Sequence, residues 1–323
     1  MDEQQSKSLR ILSLYERLCQ GDTISKKEEA VRFGVNEKTI QRDIDELRTY
    51  IANNFEASMV LEYDRKKNGY VLRRNENIWL TNEEILVLAK VLLESRAFQK
   101  AEMDQLLDKL ILQSQPENRR FIQEVIRNER FHYVPVQHNQ SLINMIWDLS
   151  YAVRTKRVTI IDYQKEGNDS PVKRKLKPVG IVFSEYYFYL VAFLIDYDFS
   201  FPTIYRMDRI VDYCITDERF KVDYKNRFEE GEFRKRVQFM YAGELMKITF
   251  RFWGPSLQAI LDRLPTAKII AKDEQSVTIE AEVYGRGIKM WLLSQAQYLE
   301  VLKPEEFRNE MRETIEKMLK NYK

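Results

Sequence analysis

Two cysteines and two histidines in 323 residues leave little material for a stapled or metal-centred chain. Cys19 and Cys214 cannot make a disulfide framework, and their apolar neighbours suggest two buried thiols. His132 and His138 lack the His-Glu-x-x-His spacing of a zinc site. Gly285-Arg-Gly287 lacks the third glycine and the strand-to-helix context of a dinucleotide loop. With 32% of residues charged, neighbouring carboxylates carry no information about acid-base chemistry. No catalysis, cofactor or metal is therefore expected. Long apolar runs are also missing: Lys90 interrupts Ile85 to Leu93, and Asp196 ends Tyr189 to Ile195, so no membrane span is expected. The opening Met1 to Lys7 has no apolar core of a secretory leader, and a soluble, cytoplasmic chain is expected. Finally, basic and acidic residues nearly balance, 52 against 50. The formal net charge of +2 gives no global pull on nucleic acid, so any grip on phosphate must be locally clustered.

What is present starts with residues 34 to 47, Gly-Val-Asn-Glu-Lys-Thr-Ile-Gln-Arg-Asp-Ile-Asp-Glu-Leu. Ile40, Ile44, Leu47 and Ile51 recur at i, i+4, i+7 and i+11, one stripe of a helix that must face a core. Asn36 is a good N-cap at its start. Lys38 and Arg42 stand one turn apart on the side away from the stripe, with Gln41, Asp45 and Thr49 nearby, whereas Asp43 borders the stripe and reads as structural. Long cationic donors beside an amide are what a helix in the major groove needs to hold phosphate and reach base edges. Upstream, Ser25 to Glu28 has the spacing of a capping box for a short helix over Lys26 to Phe33, which Gly34 ends. A first helix over Leu9 to Cys19 offers Leu9, Leu12, Leu14, Tyr15 and Leu18 to a shared core. Met59 to Tyr63 and Gly69 to Leu72 read as strands joined by the basic turn Asp64-Arg-Lys-Lys-Asn-Gly69. Three helices and a basic hairpin predict a winged helix-turn-helix contacting duplex DNA through Lys38, Thr39, Gln41 and Arg42 and through Arg65, Lys66 and Lys67 of the wing. An ordinary small helical domain with a charged surface is the alternative.

At 323 residues the chain has room for two or three domains. Thr81 to Glu84 is a second capping box, opening a helix with Ile85, Leu86, Leu88, Ala89, Leu92 and Leu93 apolar. Helical patterns follow near Ala101 to Gln113, Asn118 to Asn128 and Ser141 to Arg154. This stretch is read either as an intrachain spacer or as a dimerising region, since readers of this kind face palindromic sites as two-fold dimers. From Val158 to Val222 four β-branched and aromatic runs predict a small antiparallel barrel or curved sheet: Val158 to Tyr163, Lys173 to Phe183, Tyr186 to Phe193 and Phe201 to Ile210. Alternation puts Phe188, Leu190 and Ala192 on one face as core, and Tyr187, Tyr189 and Val191 on the other, which presents phenols. Alternate Lys173, Lys175 and Lys177 read as a solvated strand face. The last hundred residues read as β-α-β-β-α-β with a closing helix, a ferredoxin-like pattern. There Arg286, Lys289, Arg308 and Arg312 are taken as surface charge.

These parts, in this order, resemble the WYL-domain transcriptional regulators of bacteria. The resemblance is carried by Phe188-Tyr189-Leu190 in place of Trp-Tyr-Leu, by Arg174 to Pro178, by Tyr205 to Ile210, by Lys38 to Ile44, and by Trp291 to Ser294 with Val301 to Arg308 in a C-terminal WCX extension. It implies an α+β multidomain fold: a winged helix-turn-helix over 1–75, a helical linker or dimerisation region over 76–140, an Sm-like barrel over 141–225 and a ferredoxin-like WCX domain over 226–323. It implies a homodimer on an operator and an effector such as single-stranded DNA or a nucleotide, held by Tyr163, Arg174, Tyr189, Tyr205, Arg206 and Arg209. Guanidinium forks on phosphate and phenol rings on bases make that chemistry sensible. Alternation sets Arg206 and Arg209 on opposite faces unless the strand ends or bulges there. Structural alternatives stand beside these roles: Tyr189 packed with its hydroxyl satisfied, and Arg209 paired with Asp208 or Asp162. For the whole chain the alternative is a single-strand DNA or RNA binder without operator specificity.

Overall fold

The computed structural model describes residues 3–55, 59–74, 79–138, 140–167, 169–195, 201–221, 228–241 and 243–323. The domain boundaries expected at 75/76 and 225/226, the module end at Val222, and Asp196 lie outside the described residues. The chain divides into two compact units, Met1–Pro135 and Val136–Lys323. No described helix is long and apolar enough to cross a membrane.

The first unit holds α1 (Glu3–Cys19), α2 (Lys26–Phe33), α3 (Glu37–Asn54), the hairpin β1 (Met59–Asp64) and β2 (Gly69–Arg74), then α4 (Asn82–Ser95), α5 (Lys100–Ile111) and α6 (Pro116–Phe131). The α3 stripe is the centre of its core: Ile40, Ile44, Leu47 and Ile51 are buried against Leu14, Leu18, Ile24, Leu61 and Tyr70. Gly34 ends α2 in the left-handed conformation, φ 64°, so that its N–H and the next one return to carbonyls of α2. Three features differ from the sequence reading. The Ser25 hydroxyl makes no cap bond, and α2 carries a buried acid, Glu29, held by Arg17. Leu9 and Leu12 are 60% and 62% exposed, because the inward stripe of α1 runs Arg10, Leu14, Leu18 and leaves them on its outer side. Both Cys19 and Cys214 are exposed, not buried.

In α4 the capping box is complete: Thr81 Oγ1 accepts from Glu84 N at 3.2 Å, and Glu84 Oε2 accepts from Thr81 N at 2.9 Å. Helices α4 to α6 share a core of Ile85, Ala89, Leu93, Met103, Leu107, Ile111, Ile122 and Ile126. This group sits against the N-terminal one, since a Cβ on Gly21 would lie 2.7 Å from the Pro116 ring.

In the second unit α7 (Ile143–Thr155) precedes β3 (Arg157–Tyr163), β4 (Val172–Ser184), β5 (Tyr187–Leu194), β6 (Thr203–Arg206) and β7 (Ile210–Arg219). They form one antiparallel sheet in the order β6-β5-β4-β3-β7. The expected closed barrel is not formed among the described residues: β6 and β7 are sheet edges. Both faces are covered instead. On one, Leu149 of α7 packs with Ile161, Leu176, Leu190, Tyr205 and Ile210. On the other, Val182 and Val191 pack with Phe233, Val237 and Met240, in and after α8 (Glu230–Arg236). The face read as presenting phenols thus carries a second core around the fully buried Val191, while Tyr187 and Tyr189 on it stay half-buried. A register shift between Pro178 and Gly180 lets β4 serve both cores.

The C-terminal part runs β8 (Leu245–Phe252), α9 (Leu257–Arg263), β9 (Lys268–Lys272), β10 (Val277–Tyr284), α10 (Gly287–Leu293), β11 (Leu299–Lys303) and α11 (Glu305–Lys320). Its sheet order is β11-β8-β10-β9, and Ile260, Ile288, Trp291, Leu292, Phe307 and Met311 of the helices join one core with Ile248, Phe250, Ile279 and Val283 of the strands. A Cβ on Gly287 would lie 1.8 Å from the Gln238 carbonyl oxygen, so α10 starts where only glycine fits.

Candidate nucleic-acid and effector sites

Asn36 fixes the start of α3: its Oδ1 accepts from Thr39 N at 2.8 Å and from the Thr39 hydroxyl at 3.0 Å. The helix is locked from behind by Asp43, 1% exposed, whose carboxylate is paired bidentately with Arg10 of α1. With that side anchored, Lys38 and Arg42 project outward, exposed and without ion-pair partners among the described residues. Thr39 and Gln41 have other work. Thr39 is committed to the cap. Gln41 Oε1 accepts from Lys26 Nζ and from the Tyr70 hydroxyl, each at 3.0 Å, and its Nε2 donates to Asp45 at 3.0 Å. Gln41 therefore ties α2, α3 and the hairpin together.

At the hairpin tip, Asp64 Oδ1 accepts from the backbone N–H groups of Lys66 and Lys67. Those bonds, led by that of Lys67, with Arg73 and Lys67 nearby, hold its carboxyl below the usual range. The side chains of Arg65 and Lys66 are exposed, whereas Lys67 Nζ pairs with Glu117 of α6 at 3.0 Å.

The six expected effector residues do not form one group. Tyr189 and Arg206 are cross-strand partners and share a face of the sheet with Tyr187. The Arg206 guanidinium lies 3.5 Å from the centroid of the Tyr187 ring and donates twice to Asp208, at 3.1 and 2.7 Å. Burial pushes the Tyr189 hydroxyl up to about 12, with Arg206 opposing the shift. Tyr163, Arg174 and Tyr205 belong to the opposite face. The Tyr163 and Tyr205 rings meet edge to face at 5.1 Å, and Arg174 is the register partner of Ile161. Burial raises both phenols; Arg174 counteracts this at Tyr205, and a backbone bond from Arg206 and the charge of Arg209 do so at Tyr163. Between the groups the strand ends: β6 stops at Arg206 and Met207–Arg209 is a 3-10 turn, so Arg206 and Arg209 no longer obey strand alternation. Arg209 pairs with Glu166 at 2.7 Å, neither of the two acids read as its candidate partners.

Two members of this cluster were not among the expected effector residues, Tyr187 and Asp208. Tyr187 was legible, being two residues from Tyr189 on the same strand face. Asp208 was not, because its pairing with Arg206 depends on the 3-10 turn. An anion that reaches Arg206 competes with Asp208 and finds the Tyr187 ring already beneath the guanidinium, a cation with a stacking surface at its back.

Comparison with known proteins places these elements. The WYL domain matches residues 145–215 and the WCX domain residues 244–319. No curated protein matches the chain. Solved structures that resemble it include proteasome accessory factor B/C (PafBC) of Arthrobacter aurescens, at 14% identity and TM-score 0.31, covering 92% of this chain and 45% of that one. Another is a CRISPR Cas-related protein, at 14% identity and TM-score 0.38, covering 89% of this chain and 74% of that one. This chain thus spans less than half the length of PafBC. The WYL match thus falls on the five-stranded sheet and the WCX match on the four-stranded one, so the chain carries both domains.

Proposed function

We propose that this protein is a homodimeric, ligand-responsive regulator that acts by binding and not by catalysis. Its helix-turn-helix reads a palindromic duplex operator, and its WYL sheet takes a phosphate-bearing effector of nucleotide or single-stranded DNA type. The observation that carries the DNA reading is the state of α3: Lys38 and Arg42 stand exposed and uncommitted on the face opposite a fully buried stripe anchored by Asp43. Arg65 and Lys66 at the exposed hairpin tip supply a second cationic contact, as a wing does beside a recognition helix. The effector reading rests on Arg206 between Tyr187 and Asp208, with Tyr189 beside it. Binding there shifts the balance between conformations that set the half-site spacing.

The test is a selection of genomic duplex fragments by the full-length protein, followed by titration of the complex with short oligonucleotides. Enrichment of one two-fold motif, and release or tightening by an oligonucleotide that the Arg206→Ala protein no longer senses, is the expected result. Tight single-strand binding with no enriched duplex motif would instead favour a general single-strand binder and overturn the operator reading.

A further inference from the structure

Two helices, one in each unit, carry exposed faces of identical spacing and opposite charge. On α7, Ile143, Trp147, Tyr151 and Arg154 recur at i, i+4, i+8 and i+11, on the side away from Leu149 and Ala152. Trp147 is 76% exposed and Tyr151 51%. The stripe ends in cations: Arg154 and Lys156 are exposed, and neither makes an ion pair among the described residues. On α4, Glu83, Val87, Val91 and Glu94 have the same spacing, on the side away from Ile85 and Ala89. Val87 and Val91 are 60% and 61% exposed, and Glu83 and Glu94 make no ion pair among the described residues. Lys90, on the same side of α4, is neutralised by its ion pair with Glu129 of α6, so an apolar stripe flanked by acid matches an aromatic stripe ending in base.

We propose that two copies of the chain associate through these faces, α4 of one copy on α7 of the other and the reverse. If the two copies are related by a two-fold axis, the complementary contact is made twice, because each residue pairing across such an axis is repeated. The repetition matters energetically. Aromatic side chains bury ~150–250 Å² each, so one helix pair falls short of the roughly 1,200–2,000 Å² of a specific interface, whereas two pairs approach it. Charge sets the pairing. Like faces, α4 on α4 or α7 on α7, bring the glutamates or the cations together, and the mixed pairing brings them opposite. The proposal rests on the dimeric reading above and names its interface.

The experiment uses the full chain in low salt, with dissociation constants from analytical ultracentrifugation. One variant carries Glu83→Lys and Glu94→Lys, a second carries Arg154→Glu and Lys156→Glu, and a third carries Trp147→Ser. Each side chain is on the surface, and unchanged far-UV circular dichroism checks the fold. Each charge variant alone is expected to dimerise at least about tenfold more weakly, from the lost exposed pairs plus the new repulsion. Trp147→Ser is expected to lose about thirtyfold, the effect of a buried aromatic anchor. Mixing the two charge variants is decisive: the mixed dimer has one native pairing and one fully reversed pairing, so affinity returns in the mixture. Weakened single variants without recovery in the mixture would show that the two faces meet within one chain, and would overturn the proposal. A dimer indifferent to all three variants would also overturn it while leaving the dimeric reading intact. A parent protein that stays monomeric at every concentration would sink both.

Discussion

Replacing Asp43 by alanine removes the carboxylate that neutralises Arg10, and the consequence can be worked out from burial. Asp43 is 1% exposed and the Arg10 side chain 8%, so the stranded guanidinium has no route to water without moving α1 away from α3. Breaking such a pair costs about 3–5 kcal/mol, whereas replacing both partners by apolar residues of similar volume is often neutral. The cost falls on the packing of α3, which presents Lys38 and Arg42. Hydrogen exchange followed by mass spectrometry in the full-length protein reads it locally, without requiring the whole chain to unfold in one step. Amides of α3 in Asp43→Ala should lose about two to three orders of magnitude of protection, at roughly 1.4 kcal/mol per tenfold, while peptides of the second unit stay unchanged. The double replacement Arg10→Met/Asp43→Leu should recover most of the loss. Equal loss in the single and double variants would refute the argument, because it would mean that the pair adds attraction and not merely mutual neutralisation.

Asn36→Ala removes the acceptor for Thr39 N and should cost about 1 kcal/mol, read as faster exchange in the first turn of α3 with the core stripe still protected; unchanged exchange there would contradict the cap. The Tyr189 phenol, pushed up to about 12 by burial, has a raised folded value, so its contribution to stability is fully present below pH 10 and is lost as pH rises through 12. Ultraviolet titration should find one fewer late-ionising phenol in Tyr189→Phe than in the parent, and loss of a phenol titrating near its ordinary value of 10 would contradict the burial.

The sequence made α3 legible because four signals agreed there: an N-cap, a stripe of one period, a glycine stop before it and an acid on the buried side. The same wheel misled in α1, where Leu9 and Leu12 count as apolar in a window but face outward, and where the arginine among them, Arg10, takes a core position because Asp43 awaits it. Only the partner helix reveals that. In the WYL sheet, alternation sorted β5 correctly into two faces. It did not say that both carry a core, since α8 lies some forty residues downstream, beyond the reach of strand period. The candidate effector cluster was half legible. Tyr189 and Arg206 follow from alternation and register, but the split from Tyr163, Arg174 and Tyr205, the 3-10 turn and the Asp208 clamp depend on where β6 stops. Gln41 shows what residue type leaves out: it suits base contact, and its amide is engaged by three neighbours that only the fold brings to it.

The proposed docking of the outer face of α3 into duplex DNA rests on Lys38 and Arg42. The measurement is the affinity of full-length parent and Lys38→Ala/Arg42→Ala proteins for the selected operator as a function of salt. Each lost phosphate contact should lower the slope of log affinity against log salt by about 0.9, so the double variant should bind far more weakly at low salt with a slope shallower by nearly two, its circular dichroism unchanged. Parent-like affinity and slope in the double variant would contradict the claim.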